Sequence, residues 1–170
     1  MKYALGVLLA AAIGLTACSS VNPQVAQAVE SRLHELVQDF ADDLEMHIIP
    51  SAHSADELLS LGLAVSSSEY TYNAEAVKLF HVKQLAKQNT SLTFAFAENG
   101  FEVSRIVFEG DFGFYMRYLH DPSRIGAEFP VVCQFVDASA LSEDEAQNSI
   151  ALSLLRDKKT VAVITFCGVE

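Results

Sequence analysis

Residues 92–119 read LTFAFAENGFEVSRIVFEGDFGFYMRYL. Leu92, Phe94 and Phe96 alternate with Thr93, Ala95 and Ala97, the period-two pattern of a strand. Asn99-Gly100 follows, a strong short signal for a hairpin turn. Phe101 to Glu109 is then the returning strand, Gly110-Asp111 a second turn, and Phe112 to Leu119 a third strand. The stretch therefore predicts a three-stranded antiparallel meander. Its last strand places Phe112, Phe114, Tyr115, Met116 and Tyr118 on both faces, so either both faces are covered or one is a binding surface.

Beyond the meander, His120 to Phe129 reads as a loop around Asp121-Pro122 and Gly126, and Val131 to Val136 as a fourth strand. Ser142-Glu143-Asp144-Glu145 has a capping-box pattern and predicts a helix to about Arg156. Thr160 to Cys167, rich in β-branched residues, is a last strand.

Upstream the period changes. Asn22-Pro23 reads as a helix cap followed by proline at the first helical position. Val25, Val29, Leu33, Leu36, Val37, Phe40, Ala41, Leu44 and Ile48 recur in steps that describe one apolar stripe. Glu30, Arg32, Glu35, Asp39, Asp42, Asp43 and Glu45 occupy the other side, and Pro50 stops the pattern. This predicts a long amphipathic helix over 23–47. Ser54-Ala55-Asp56-Glu57 opens a short helix that Gly62 ends, and Asn73 caps a third over about 74–88. On that third helix, Ala76, Leu79, Val82 and Ala86 are expected inward, with Lys78, Lys83, Gln84 and Lys87 in water. The expected architecture is α+β: a long N-terminal helix, two further helices, then a mainly antiparallel sheet of about five strands with one inserted helix.

At the N-terminus, Met1-Lys2 precedes an uncharged, mostly apolar run from Tyr3 to Leu15. The run is too short for a stable span, which needs roughly 20 residues, and its flanks fit a secretory signal. It ends in Leu15-Thr16-Ala17-Cys18, which resembles the lipobox of bacterial lipoproteins. That resemblance covers residues 1–18 only. It implies that residues 1–17 are removed, that Cys18 becomes the acylated first residue, and that the chain is held in the cell envelope by its lipid. Ser19, a non-Asp residue after the cysteine, implies transfer to the outer membrane, facing the periplasm. Residues 18–22 are then a short tether, and 23–170 a single domain.

Losing Lys2 with the signal takes the formal charge of −11 one unit lower. An acidic surface repels nucleic acid, whose recognition needs clustered Lys and Arg. Such a surface is also poorly suited to polybasic docking on lipid, so the lipid on Cys18 is the expected membrane partner. Cys133 and Cys167 remain as thiols, in a compartment that permits disulfides, and a bridge between them is expected. The alternative is two buried thiols acting as small hydrophobes. The bridge conflicts with simple parallel pairing of their strands, where the two would stand ~13–16 Å apart at roughly 3.3 Å per residue. Antiparallel pairing of these strands, or a bridge across strands that do not follow simple register, is therefore favoured.

Catalytic patterns are weak. His47 and His53 flank a proline near Asp42, Asp43 and Glu45, but the spacing matches no metal-ligand set. Cys133 with His81 or His120 lacks any local nucleophile signature. Glu143, Asp144 and Glu145 are explained by helix capping, and Lys78, Lys83 and Lys87 by a solvated face. No metal, cofactor or catalytic residue is expected. The function expected is a membrane-tethered, non-enzymatic module that binds an envelope protein or scaffolds an assembly. The alternative is a small-ligand or lipid-binding domain using the aromatic sheet face.

Overall fold

The computed structural model describes residues 23–48, 55–66, 71–96, 102–119 and 131–167. The residues expected to form the signal peptide and tether, Cys18 among them, and His53, Ser54, the expected Asn99-Gly100 turn and His120 lie outside them. In chain order, α1 (Pro23–Asp43) continues into a π-helical turn (Leu44–Ile48), followed by α2 (Ala55–Ser60) and β1 (Ala64–Ser66). Next come β2 (Thr71–Tyr72), α3 (Ala74–Leu85) and the meander β3 (Thr90–Phe96), β4 (Glu102–Glu109) and β5 (Phe112–Leu119). β6 (Val132–Val136), β7 (Ala138–Asp144), β8 (Ser149–Arg156) and β9 (Lys159–Cys167) complete the chain.

The fold is α+β with two sheets rather than one. β2-β1-β3-β4-β5-β6 form the larger sheet and β7-β8-β9 the smaller. All described pairs are antiparallel except β1 with β3, which α3 connects as a crossover.

The helix expected over 142–156 is a β-hairpin. Ile150, Leu152 and Leu154 are buried and alternate with less buried Ala151 and Ser153, which is strand periodicity. The Ser142–Glu145 segment caps a turn instead of a helix. Asp144 Oδ1 accepts from the amides of Ala146 at 3.0 Å and Gln147 at 3.1 Å. Asn148 then takes a positive φ of 47°, a conformation asparagine tolerates better than most residues. Asp157 and Lys158, at φ 52° and 62°, close the next hairpin between Arg156 and Lys159. Positive φ at both central residues is the geometry of a two-residue type I′ turn.

Both faces of the larger sheet are covered, which settles the aromatic strand as core. Phe114, Met116 and Tyr118 pack with Leu33, Val37 and Phe40 of α1 in one cluster. Tyr115, on the opposite face, joins Phe80 of α3 and Ile150, Leu152 and Phe166 of the smaller sheet in a second. Each fully buried side chain of this size contributes about 1.5–3 kcal/mol. Arg105 ties α1 to the meander. Its guanidinium lies 4.9 Å from the Phe40 ring centroid, its Nε donates to Thr93 Oγ1 at 2.8 Å, and Nη2 pairs with Asp43.

Among the described residues, Gly113 is the one glycine whose missing side chain is required by close packing. A Cβ there would meet the Val107 carbonyl oxygen at 2.6 Å and the Phe108 ring at 2.8 Å.

Helix α3 is rotated from the expected setting. Ala74, Val77, Phe80 and Gln84 face the core, while Leu79 and Val82 stand outside. The helix is apolar on both sides, so its periodicity alone could not choose. Aromatic Phe80, 5.9 Å from Phe108 between ring centroids, fixes the buried side. Asn73 precedes the helix in a left-handed conformation, and its side chain makes no capping bond.

Candidate functional site

β9 is an edge strand: among the described residues it pairs with β8 alone. Edge strands expose unpaired N–H and C=O groups, and proteins often blunt them with charge, proline or bulges. From Thr160 to Cys167, β9 carries no charged residue and no proline, and its pairing with β8 is irregular only at Val161, between the Leu155–Thr160 and Leu154–Ala162 pairs. Val163 is 58% exposed.

A cleft of about 390 Å³ runs beside this edge. One wall is Val161 through Thr165. Alternate side chains of a strand point to opposite faces, so five successive residues line one cleft through their shared backbone edge. The other wall is the larger sheet: Phe96 of β3, Glu102 of β4, Tyr115 and Arg117 of β5, and Gln134 of β6. These residues lie on adjacent strands of the sheet, placed there by the meander register.

The polar groups on that wall are organised. Arg117 donates to both oxygens of Glu102, Nε at 2.8 Å and Nη2 at 3.1 Å. Half of the Arg117 side chain is exposed. The bond to Glu102 pushes the guanidinium pKa up, so Arg117 is a permanent cation in the cleft. Burial pushes the Tyr115 hydroxyl pKa up, and a hydrogen bond with Ser104 opposes that shift. Tyr115 is therefore a neutral hydrogen-bonding group at neutral pH.

The expected bridge is not formed: neither cysteine is in a disulfide. Cys133 is on β6, packed against the cluster under α1, whereas Cys167 ends β9 in the other sheet. Two sheets rather than one separate the strands that the bridge would have joined. Burial pushes the Cys133 thiol up to about 12. It behaves as the small hydrophobe of the alternative reading.

His81 is remote from Cys133 in role. Its Nδ1 lies 2.9 Å from Ser139 Oγ, and that hydroxyl donates to Gln84 Oε1 at 2.9 Å. Nδ1 must then carry the proton. Burial holds the imidazole pKa below its ordinary value. This network joins α3 to β7 across 58 residues of sequence and was invisible to local patterns. With Ser139 buried and its hydroxyl committed to Gln84, it fastens the helix and is not arranged as a nucleophile.

His47 pairs with Asp43 at 3.2 Å, one turn apart on the same helix. No group of three or more metal-ligating side chains gathers among the described residues. Lys78 reaches Glu143 at 3.1 Å, a contact between α3 and β7 that uses one of the acidic residues assigned to capping.

Comparison with known families, with curated proteins and with solved structures finds no match. The cleft itself has no sequence motif. Its walls come from β3, β4, β5, β6 and β9; the strands were legible in the sequence, the cleft between them was not.

Proposed function

We propose that this protein is a lipid-anchored envelope module that binds a partner protein by taking one of its extended segments along β9. The observation that carries the reading is the uncharged open edge of β9 lying beside a polar cleft. An added strand would pair its backbone with the outward groups along Val161–Thr165, which no described strand takes up, as in recognition by strand addition. Five residues at about 3.4 Å each would occupy roughly 17 Å of edge. Every second side chain of that segment would face Arg117, Tyr115 and Gln134, which favours acidic or hydrogen-bonding residues at those positions.

The smaller sheet has three strands and lies over a sheet of six. A fourth strand at β9 would extend the upper layer over the larger sheet. The Leu15–Cys18 motif supplies the address, with Cys18 as the acylated residue and the outer membrane as the site of attachment. The aromatic side chains of β5 are committed to the two core clusters, which favours protein binding over an apolar ligand pocket on that strand.

Photocrosslinking in intact cells from a photoreactive residue at position 163 tests the proposal. The expected result is a discrete adduct with one envelope protein, mapped to a short segment of that partner. The absence of any adduct, or the same adduct pattern from exposed Ala140 on β7, would overturn it.

A further inference from the structure

Helix α3 is apolar on both sides, and such a helix is normally buried all round. Leu79, Val82 and Leu85 are nevertheless 54%, 60% and 64% exposed. Spacing of three places them in one stripe on the outer side. Lys78, Lys83 and Lys87 flank the stripe, three of the six lysines in the whole sequence. Lys78 pairs with Glu75 and Glu143, and Lys87 with Asp111. Lys83 makes no ion pair among the described residues. It lines a cleft of about 400 Å³ with Ser91 and Glu109.

Two ion pairs relate this stripe to the described part of α1. Arg32 of α1 holds Glu109 at 2.7 Å, and Lys87, just beyond α3, holds Asp111 at 2.6 Å. Glu109 and Asp111 belong to one tight turn. Residues 23–31 of α1, beyond Arg32, and the end of α3 therefore lie towards the same end of the domain, on opposite faces of the larger sheet. Residues 23–31 carry α1 about 13 Å beyond Arg32, at 1.5 Å per residue. The segment from Cys18 to Asn22 reaches at most about 14 Å further.

We propose that α3 is a second membrane contact, its Leu79–Val82–Leu85 stripe resting at the headgroup boundary of the bilayer that holds the lipid on Cys18. The inference rests on the lipoprotein reading above. Three side chains make a small patch against the roughly 800 Å² per partner of a standard protein interface. They suffice for a lipid surface when a covalent anchor already supplies most of the attachment. Lys83 is placed to meet lipid phosphate, and the flanking lysines can extend their charges past the apolar stripe. The acidic face of α1, with Glu30, Glu35, Asp39 and Asp42, would be repelled by anionic lipid, which orients the domain.

The sequence contains no tryptophan, so Val82→Trp introduces a sole fluorescent reporter. The lipoprotein carrying it would be reconstituted into phosphatidylethanolamine–phosphatidylglycerol vesicles with and without brominated acyl chains. Quenching by about half is expected at position 82, because interfacial helices bury their apolar face 5–10 Å into the boundary. Val163→Trp should be unaffected. In a parallel sample, a histidine tag replaces residues 1–18 and holds the chain on nickel-chelating lipid. Quenching there, with no entry of the original chain into vesicles, would refute the lipid anchor and keep the α3 contact. Entry into vesicles without quenching at position 82 would overturn the α3 contact alone. A blue-shifted, unquenched Trp at 82 together with crosslinked pairs of chains would overturn it in favour of a second copy on the stripe.

Discussion

The two thiols should differ in reactivity by orders of magnitude. Cys133 sits against the α1 cluster, and its burial pushes the thiol pKa up to about 12. At pH 8, the thiolate fraction of such a group is about 10⁻⁴. An ordinary thiol of pKa near 8.5 is about a quarter ionised at that pH. The thiolate is the reacting species, so Cys133 should alkylate more than a thousandfold more slowly on ionisation alone. Occlusion by the surrounding side chains slows it further. Cys167 is exposed at the end of β9, where reagent can reach it. The perturbation is iodoacetamide at pH 8 on the Cys18→Ser chain, read by mass spectrometry of the 133 and 167 peptides. The folded protein should modify at Cys167 within minutes and hold Cys133 unmodified for hours. In denaturant without reductant, both should modify. Two equally fast thiols in the native state would refute the packing of β6 under α1. Two thiols that stay blocked in denaturant, with a mass two daltons low, would restore the bridge.

Alkaline pH should destabilise the fold. Cys133 and Tyr118 are both pushed up to about 12 by burial. The folded state therefore holds protons that the unfolded state releases, and the stability from this linkage is present below about pH 9 and lost as pH rises towards about 12. Urea unfolding midpoints should fall across that window, and a flat profile would contradict the burial of both groups. Gly113→Ala should lower stability by about 1–3 kcal/mol, because the new methyl group overlaps the Val107 carbonyl and the Phe108 ring. A melting temperature unchanged from wild type would show that β4 and β5 are less closely paired there.

The sequence revealed the meander because its three strands combine period-two patterning with a local turn. Gly110, at φ 66°, and Asp111 sit where that reading placed the second turn. The long helix was equally legible, since one apolar stripe matched one core face. The 142–156 segment carried two competing signals. The capping-box residues are local, while the alternation of Ile150, Leu152 and Leu154 is rewarded only when those side chains meet Phe94 and Phe166 in the core. Tertiary packing decided it. Pairing Cys133 with Cys167 relied on compartment chemistry, which carries no information about which sheet each strand joins. The β9 cleft was illegible for the same reason: neighbours such as Arg117 and Val163 are brought together only by the layering of the two sheets.

Site-resolved amide exchange along Val161–Thr165 in the free protein tests the central claim, an open β9 edge, most directly. In an edge strand, alternate amides bond the neighbouring strand and the rest face outward. The account predicts slow exchange at every second residue and fast exchange at those between, with the fast set becoming protected when the crosslinked partner segment is added. Uniform protection of all five amides in the free protein would contradict it, because the edge would then already be covered.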